Sequence, residues 1–290
     1  MGLTFPNPVG VAAGLDKNGN YLDIFETMGF GFVELGTVTP LPQNGNPKPR
    51  LFRISSFEGL INRMGFNNVG ADRVAENILN SKYSGILGIN IGKNHTTKIE
   101  TAHEDYVRCL DRLYDLADYF TVNISSPNTR GLRDLQKNEY LRSFLEKVIR
   151  RRNELARKFK KKKPILVKLS PDLNSMELKE VVETVSICKY DGIIATNTTT
   201  CRDNELQRHS NGEQKGGLSG GPLMDKSTSA LRQIRQILGS NRMTLIGVGG
   251  ILCGNDAKLK VEAGADLIQI YTGFIYKGPR LIRHILNDID

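Results

Sequence analysis

Eight short, nearly all-apolar runs recur along this chain, at residues 8–13, 32–35, 86–89, 119–122, 165–167, 192–195, 244–248 and 267–270. Runs of this kind suit strands buried on both faces of a parallel sheet. Helix-like segments lie between them. Leu178, Val181, Val182 and Val185 repeat at helical spacing behind Asn174-Ser175-Met176-Glu177, which has the form of a capping box. Similar apolar faces are expected from Val69, Val74, Ile78 and Leu79, from Leu141, Phe144, Leu145, Val148 and Ile149, and from Leu231, Ile234 and Leu238 ahead of Gly239. Pro279 stands where a last helix would open. Strand–helix units repeated eight times, with no linker, internal repeat or shift in composition, predict an α/β chain folded as one (β/α)8 barrel over residues 1–290.

One connection is too long for such a barrel, where linking segments commonly run ~2–6 residues. Residues 38–67 hold Pro40, Pro42, Pro47 and Pro49, yet also Leu51-Phe52-Arg53-Ile54 and Leu60-Ile61. This segment is expected to pack as an inserted β-hairpin, a lid after the second strand.

The bulk numbers exclude several classes. No apolar run reaches membrane-spanning length, and the N-terminus lacks a signal peptide's basic and apolar regions. Cys109, Cys188, Cys201 and Cys253 are scattered without a Cys-x-x-Cys pair, which argues against a zinc site or disulfide framework and fits a reducing compartment. The four histidines show no triad or metal spacing, and no metal is expected. Net charge is +9, but much of the excess lies in the run 150–163 at the end of an expected helix. Cations there are favoured by the helix dipole. The run is read as a solvated helix end, and no nucleic-acid partner is expected because no interleaved aromatics or motif accompany it.

In a (β/α)8 barrel the active site sits at the C-terminal ends of the strands. The residues there are Ala13, Gly14 and Lys17, then Thr37, Asn90, Asn123, Lys168, Thr196, Asn197, Gly249, Gly250, Tyr271 and Thr272. Nearly all are small, amide-bearing or hydroxyl-bearing, which describes a lined polar pocket. The densest stretch is Asn123-Ile124-Ser125-Ser126-Pro127-Asn128-Thr129, which carries no charge. It suits a flat hydrogen-bonding ligand, and a serine in it could move a proton; an ordinary Asx/Ser turn is the other reading. Ser126 is in no Gly-x-Ser-x-Gly elbow, so a proton carrier fits better than an acyl nucleophile. The glycine-containing loops after strands seven and eight suit a phosphate, and residues 216–221 add a further backbone wall. Lys168 reads as a fixed cation beside a ligand that becomes anionic, or as a lysine leaning out of the barrel mouth.

Seven motifs, in order along the chain, carry a resemblance: Ala12-Ala13-Gly14-Leu15-Asp16-Lys17, Glu34-Leu35-Gly36-Thr37-Val38-Thr39-Pro40, Asn62-Arg63-Met64-Gly65-Phe66-Asn67-Asn68, the Asn123–Thr129 stretch, Ala195-Thr196-Asn197-Thr198, Gly216-Gly217-Leu218-Ser219-Gly220 and Ile270-Tyr271-Thr272-Gly273. The chain resembles the class 2, quinone-dependent dihydroorotate dehydrogenases of pyrimidine biosynthesis. The resemblance implies an FMN-containing barrel that oxidises dihydroorotate to orotate, with a membrane quinone as final acceptor. It implies that Ser126 is the base for the C5 proton; class 1 relatives use cysteine, and this loop has none. It implies FMN contacts from Ala13, Gly14, Lys17, Thr37, Asn90, Asn123, Lys168, Thr196, Gly220, Gly249, Gly250, Tyr271 and Thr272. It implies a substrate cradle from Lys17, Asn62, Arg63, Met64, Gly65, Phe66, Asn123, Asn128, Asn197 and Thr198, covered by Phe66 and the hairpin.

The chain departs from the class 2 pattern in one respect. Those members begin with a helical extension that docks on the membrane, whereas Met1 here stands directly before the first barrel segment. Peripheral contact with the cytoplasmic side of a membrane is therefore expected of a chain carrying the extension, and a soluble cytoplasmic protein of this chain alone. The alternatives are another FMN-dependent barrel oxidoreductase, such as a class 1-like dehydrogenase or a dihydrouridine synthase, and a cofactor-free phosphosugar isomerase. A basic RNA-binding protein would explain the charge but not the polar strand ends.

Overall fold

Period-two alternation decides what fills the middle of this molecule. Phe32, Tyr119, Leu166, Ile194, Ile246 and Leu267 come from six different strands and form one buried apolar cluster. In the computed structural model, which describes residues 1–136 and 138–289, these side chains plug a closed eight-stranded parallel barrel. Lys137 and Asp290, part of the expected 1–290 unit, lie outside the described residues.

The strands in chain order are β1 (Val9–Val11), β2 (Phe32–Val38), β3 (Leu51–Ile54), β4 (Gly59–Asn62), β5 (Ile86–Ile91), β6 (Tyr119–Asn123), β7 (Ile165–Leu169), β8 (Gly192–Ala195), β9 (Gly217–Gly220), β10 (Thr244–Val248) and β11 (Leu267–Ile270). The barrel closes in the order β1-β11-β10-β8-β7-β6-β5-β2. Met1, Leu3 and Phe5 pack against the interior cluster, and the Phe5 ring meets Phe32 edge-on at 5.2 Å. Gly88 leaves room for the Tyr119 ring, where any Cβ would collide with it.

The helices are α1 (Leu22–Thr27), α2 (Gly70–Asn80), α3 (Ala102–Leu113), α4 (Asn138–Phe159), α5 (Ser175–Ile187), α6 (Asn204–Gln207), α7 (Met224–Leu238), α8 (Gly254–Glu262), α9 (Thr272–Lys277) and α10 (Arg280–Ile289). The capping box of α5 forms: Asn174 Oδ1 accepts from the Met176 and Glu177 N–H groups, and Glu177 accepts from the Asn174 N–H. Outward-facing Val33, Leu35, Ile89, Val122 and Val167 join the helices in the main core.

The inserted hairpin forms as expected and is extended, and two other expectations are corrected. The inserted hairpin β3–β4 gains a third strand: β9 pairs antiparallel with β4, Leu60 opposite Ser219. The glycine-rich segment 216–221 is thus largely strand. Leu79 is 67% exposed, because the buried face of α2 runs through Ala71, Val74 and Ala75 and the next turn carries Leu79 away from it. The basic run is not wholly solvated. Arg152 is 2% exposed and gives Nη1 hydrogen bonds to Asp191 Oδ2 at 2.7 Å and the Lys163 carbonyl at 2.9 Å. Lys163 is buried as well.

Candidate active site

The site begins two residues above the apolar plug. Moving up by two along the same strands replaces Phe32, Tyr119, Leu166 and Leu267 with Glu34, Thr121, Lys168 and Gln269. Side chains two apart share a face, so these four point inward as a polar layer. Glu34 is fully buried and accepts from Asn90 Nδ2 (2.8 Å), Tyr119 Oη (3.1 Å), Thr121 Oγ1 (3.0 Å) and Gln269 Nε2 (2.8 Å). Four donors replace the water this carboxylate would otherwise need. Gln269 spends its amide N–H on Glu34, and its Oε1 is buried without a partner. Lys168, 5% exposed, has its ammonium drawn below the ordinary lysine value by burial, an effect that Glu34 opposes. The Lys17 ammonium is held down to about 8 by burial and by the charges of Arg50 and Lys168.

Amides carry the order of this layer upward. Thr37 Oγ1 donates to Asn90 Oδ1 at 2.6 Å, and Asn123 Nδ2 donates to both Thr37 Oγ1 and Asn90 Oδ1. Asn197 Nδ2 donates to Ser125 Oγ at 3.0 Å and to Asn123 Oδ1 at 3.3 Å. Because Glu34 can only accept, it fixes which end of the Asn90 amide faces Thr37 and Asn123, and the neighbouring amides follow. Ser126 stands on the same wall, 6% exposed, with its Oγ accepting from the Asn128 N–H at 3.2 Å.

The opposite rim is backbone. Gly220, Gly249 and Gly250 have φ values of 89°, 112° and 84°, a region that side chains avoid, so the chain can turn its peptides toward the cleft. Thr272 Oγ1 lies 2.8 Å from Ser219 Oγ beside them. The lid closes over the remaining side. Asn128 Nδ2 donates to Asn62 Oδ1 at 3.2 Å, and Asn46 Nδ2 bridges the Arg63 and Asn128 carbonyls. Phe66 is 6% exposed on the cleft wall.

The resulting cleft spans about 930 Å³, part of it open to solvent. Ala13, Gly14, Lys17, Thr37, Asn62, Met64, Gly65, Phe66, Asn123, Ser126, Asn128, Lys168, Thr196, Asn197, Thr198, Gly220, Gly249, Gly250, Tyr271 and Thr272 all line it. Two expected site residues do not. Arg63 turns outward, with its guanidinium 4.7 Å from the Phe52 ring and Nη1 donating to Gln214 Oε1. Asn90, fully buried, lies behind Thr37 and Asn123 and supports them from below. Sequence reasoning missed Gln269 and the role of Glu34. Their signal was visible, since each is the one polar residue of its apolar run, 32–35 and 267–270. Among the described residues no group of three or more His, Cys, Asp or Glu could hold a metal ion, and no helix is long and apolar enough to cross a membrane.

A (β/α)8 barrel with an uncharged amide wall, a buried lysine floor and a glycine rim is an enzyme framework for a flat ligand and an anionic group. The dihydroorotate dehydrogenase family profile matches residues 1–290. The dihydroorotate dehydrogenase (quinone) of Aliivibrio fischeri is 53% identical over 290 residues, which is 100% of this chain and 85% of that protein. The protein of the same name from Acinetobacter baylyi is 50% identical over 289 residues, covering 100% of this chain and 86% of the relative. The solved structure of DHODH from Eimeria tenella in complex with ferulenol superposes with a TM-score of 0.93 at 38% identity, over 99% of this chain and 81% of that one. The chain belongs to the dihydroorotate dehydrogenase family, whose members are flavin-dependent enzymes.

Proposed function

We propose that this chain, with residues 1–290 as one catalytic domain, oxidises (S)-dihydroorotate to orotate in pyrimidine biosynthesis, with FMN as the resident flavin and a quinone as final electron acceptor. The observation that carries the reading is Ser126 Oγ on the cleft wall, flanked by the Asn62, Asn123, Asn128 and Asn197 amides. Four neutral amides match the imide and carbonyl groups of a pyrimidine ring. The oxidation removes a proton from C5 and a hydride from C6. When bound, FMN supplies the two-electron hydride acceptor.

The residues present fit that group. The unpaired Gln269 Oε1 is an acceptor on the cleft floor, suited to a ring that carries an N–H. The glycine rim with Thr272 suits a phosphate. Ala13, Gly14, Lys17, Thr37, Asn123, Lys168, Thr196, Gly220, Gly249, Gly250, Tyr271 and Thr272 would hold FMN, and the buried Lys168 cation would favour added negative charge. Lys17 with Asn62, Asn123, Asn128, Asn197 and Thr198 would hold the substrate, under Met64, Gly65 and Phe66. Ser126 Oγ takes the C5 proton as its own hydroxyl proton passes to water, and the Asn128 N–H favours the negative charge that oxygen carries as it acts. Phe66 and the lid exclude water from the reacting face. Quinone turnover and contact with the cytoplasmic face of a membrane are proposed for a chain bearing the helical extension of class 2 members.

The test is an anaerobic absorbance spectrum of the flavin-loaded protein before and after adding dihydroorotate. Bleaching of the flavin band is the expected result. A flavin band indifferent to dihydroorotate would overturn the substrate, and failure to take up FMN would overturn the cofactor.

A further inference from the structure

Behind the amide wall one guanidinium joins three strand-end loops. Arg133 lies in the short helical turn Leu132–Gln136, seven residues past Ser126. Its Nε donates to the Ser125 carbonyl at 3.0 Å, its Nη2 to the Thr198 carbonyl at 2.9 Å, and its Nη1 to Asp172 Oδ2 at 2.9 Å. These acceptors follow β6, β8 and β7 respectively. Asp172 is itself held by Lys226 Nζ at 2.7 Å, the Thr200 N–H at 2.8 Å and the Thr199 hydroxyl.

We propose that Arg133 is the positioning residue for proton removal from the substrate, a role that rests on the dihydroorotate reading above. The Ser125 carbonyl and the Ser126 N–H belong to one peptide plane. A donor fixed on that carbonyl stops the plane from rotating, and so sets the direction in which Ser126 Cβ and Oγ leave the backbone. The second donor fixes the loop that carries Asn197 and Thr198. One planar, rigid fork therefore sets the separation of the proton carrier from the amides that orient the ring. An ammonium on a flexible stem cannot span three such acceptors in one plane. Nothing about the pocket lining reveals this role, because Arg133 contributes no surface to the cleft.

Removing Arg133 does not orphan a buried charge. Asp172 keeps Lys226, Thr199 and Thr200, so Arg133→Ala is expected to fold and to bind FMN and orotate. The experiment is anaerobic single-turnover reduction of the flavin-loaded protein by unlabelled, 5-deuterated and 6-deuterated dihydroorotate. Arg133→Ala is expected to reduce its flavin about 10²-fold more slowly, the scale on which a misplacement near 1 Å acts. The slowing should come with a larger deuterium effect at C5 and an unchanged one at C6, and added guanidinium ion should restore rate. Arg133→Lys keeps the charge and should show the same C5 signature. A wild-type reduction rate in both variants overturns the proposal. So does slow reduction with wild-type isotope effects and no response to guanidinium. If the wild-type flavin is not bleached by dihydroorotate, the reading beneath the proposal fails instead.

Discussion

Replacing Ser126 by alanine isolates one oxygen atom. Ser126 is 6% exposed, and its Oγ receives one hydrogen bond, from the Asn128 N–H at 3.2 Å. Nothing else on the wall leans on it, since Asn123, Asn197 and Ser125 bond to one another and Asn128 bonds to Asn62. Stability should fall by no more than about 1 kcal/mol, the net worth of one ordinary hydrogen bond. Flavin and orotate affinity should stay near wild type, because the amide cradle and the glycine rim are untouched. The chemistry should not. Loss of a positioned base typically slows a step by ~10²–10⁴-fold, which is about 2.7–5.4 kcal/mol of barrier at 1.36 kcal/mol per tenfold. Single-turnover flavin reduction at saturating dihydroorotate measures that step without the acceptor. Ser126→Cys adds a second arm: with a thiol pKa near ~8.5, it should recover part of the rate and make it climb as pH rises through that range. A Ser126→Ala protein that reduces its flavin at the wild-type rate would refute the assignment of the proton to this oxygen.

Three other outcomes follow from buried charges. Glu34→Gln can keep an accepting oxygen for Tyr119, Thr121 and Gln269 but then presents its amide N–H to Asn90, which must flip or lose its bond; a loss of about 1–3 kcal/mol in urea unfolding and weakened FMN retention are expected, and wild-type values for both would count against the ordering role of Glu34. Arg152→Met should cost about 2–3 kcal/mol, less than the ~3–5 kcal/mol typical when a buried charge loses its partner, because Lys162 and the Ile165 N–H still hold Asp191; thermal or urea denaturation reads it. Lys260 is fully buried with Ser227 Oγ at 2.5 Å and Thr228 Oγ1 at 2.7 Å as partners, and burial holds it down to about 7. Between that value and the ordinary 10.5 the unfolded chain keeps the proton that the folded chain has released, so this lysine makes stability rise with pH across the window. Urea midpoints measured from pH 7 to 9 should therefore climb less in Lys260→Met than in the wild type, and parallel curves would show that Lys260 stays charged.

The barrel was legible because burial on both faces leaves apolar runs that no other element of that length produces. The strand ends were legible because eight termini in succession made almost entirely of small, amide, hydroxyl or lysine residues have no packing explanation. What escaped notice has physical reasons. Arg63 sits between two cleft residues in sequence, yet Asn62 ends β4 facing the cleft and the next side chain along an extended backbone points to the other side. Strand β9 is built of Gly217, Leu218, Ser219 and Gly220, and its place comes from backbone pairing with β4 rather than from any side-chain pattern. Arg133 could not be found by looking at strand ends, since it acts through carbonyl groups from a turn beyond them.

The deeper omission concerns Glu34 and Gln269, and it shows how such a site is encoded. A charged residue in an apolar strand reads as an edge or a blemish when strands are taken one at a time. In a closed barrel every second side chain enters the same narrow interior, so polar residues at matching heights on different strands must meet. Glu34 on β2, Thr121 on β6, Lys168 on β7 and Gln269 on β11 each follow by two an aromatic or aliphatic plug residue. Their common offset from the plug, rather than any one identity, defines the floor. With four donors converging on it, the Glu34 carboxylate stays where it is, and the acceptor left without a partner in that layer, Gln269 Oε1, is buried in the cleft floor. The floor thus holds one accepting atom beside two lysines. Substituting Gln269 by leucine should leave the barrel closed and weaken flavin binding; unchanged FMN affinity in a fluorescence titration would show that this oxygen faces no ligand donor.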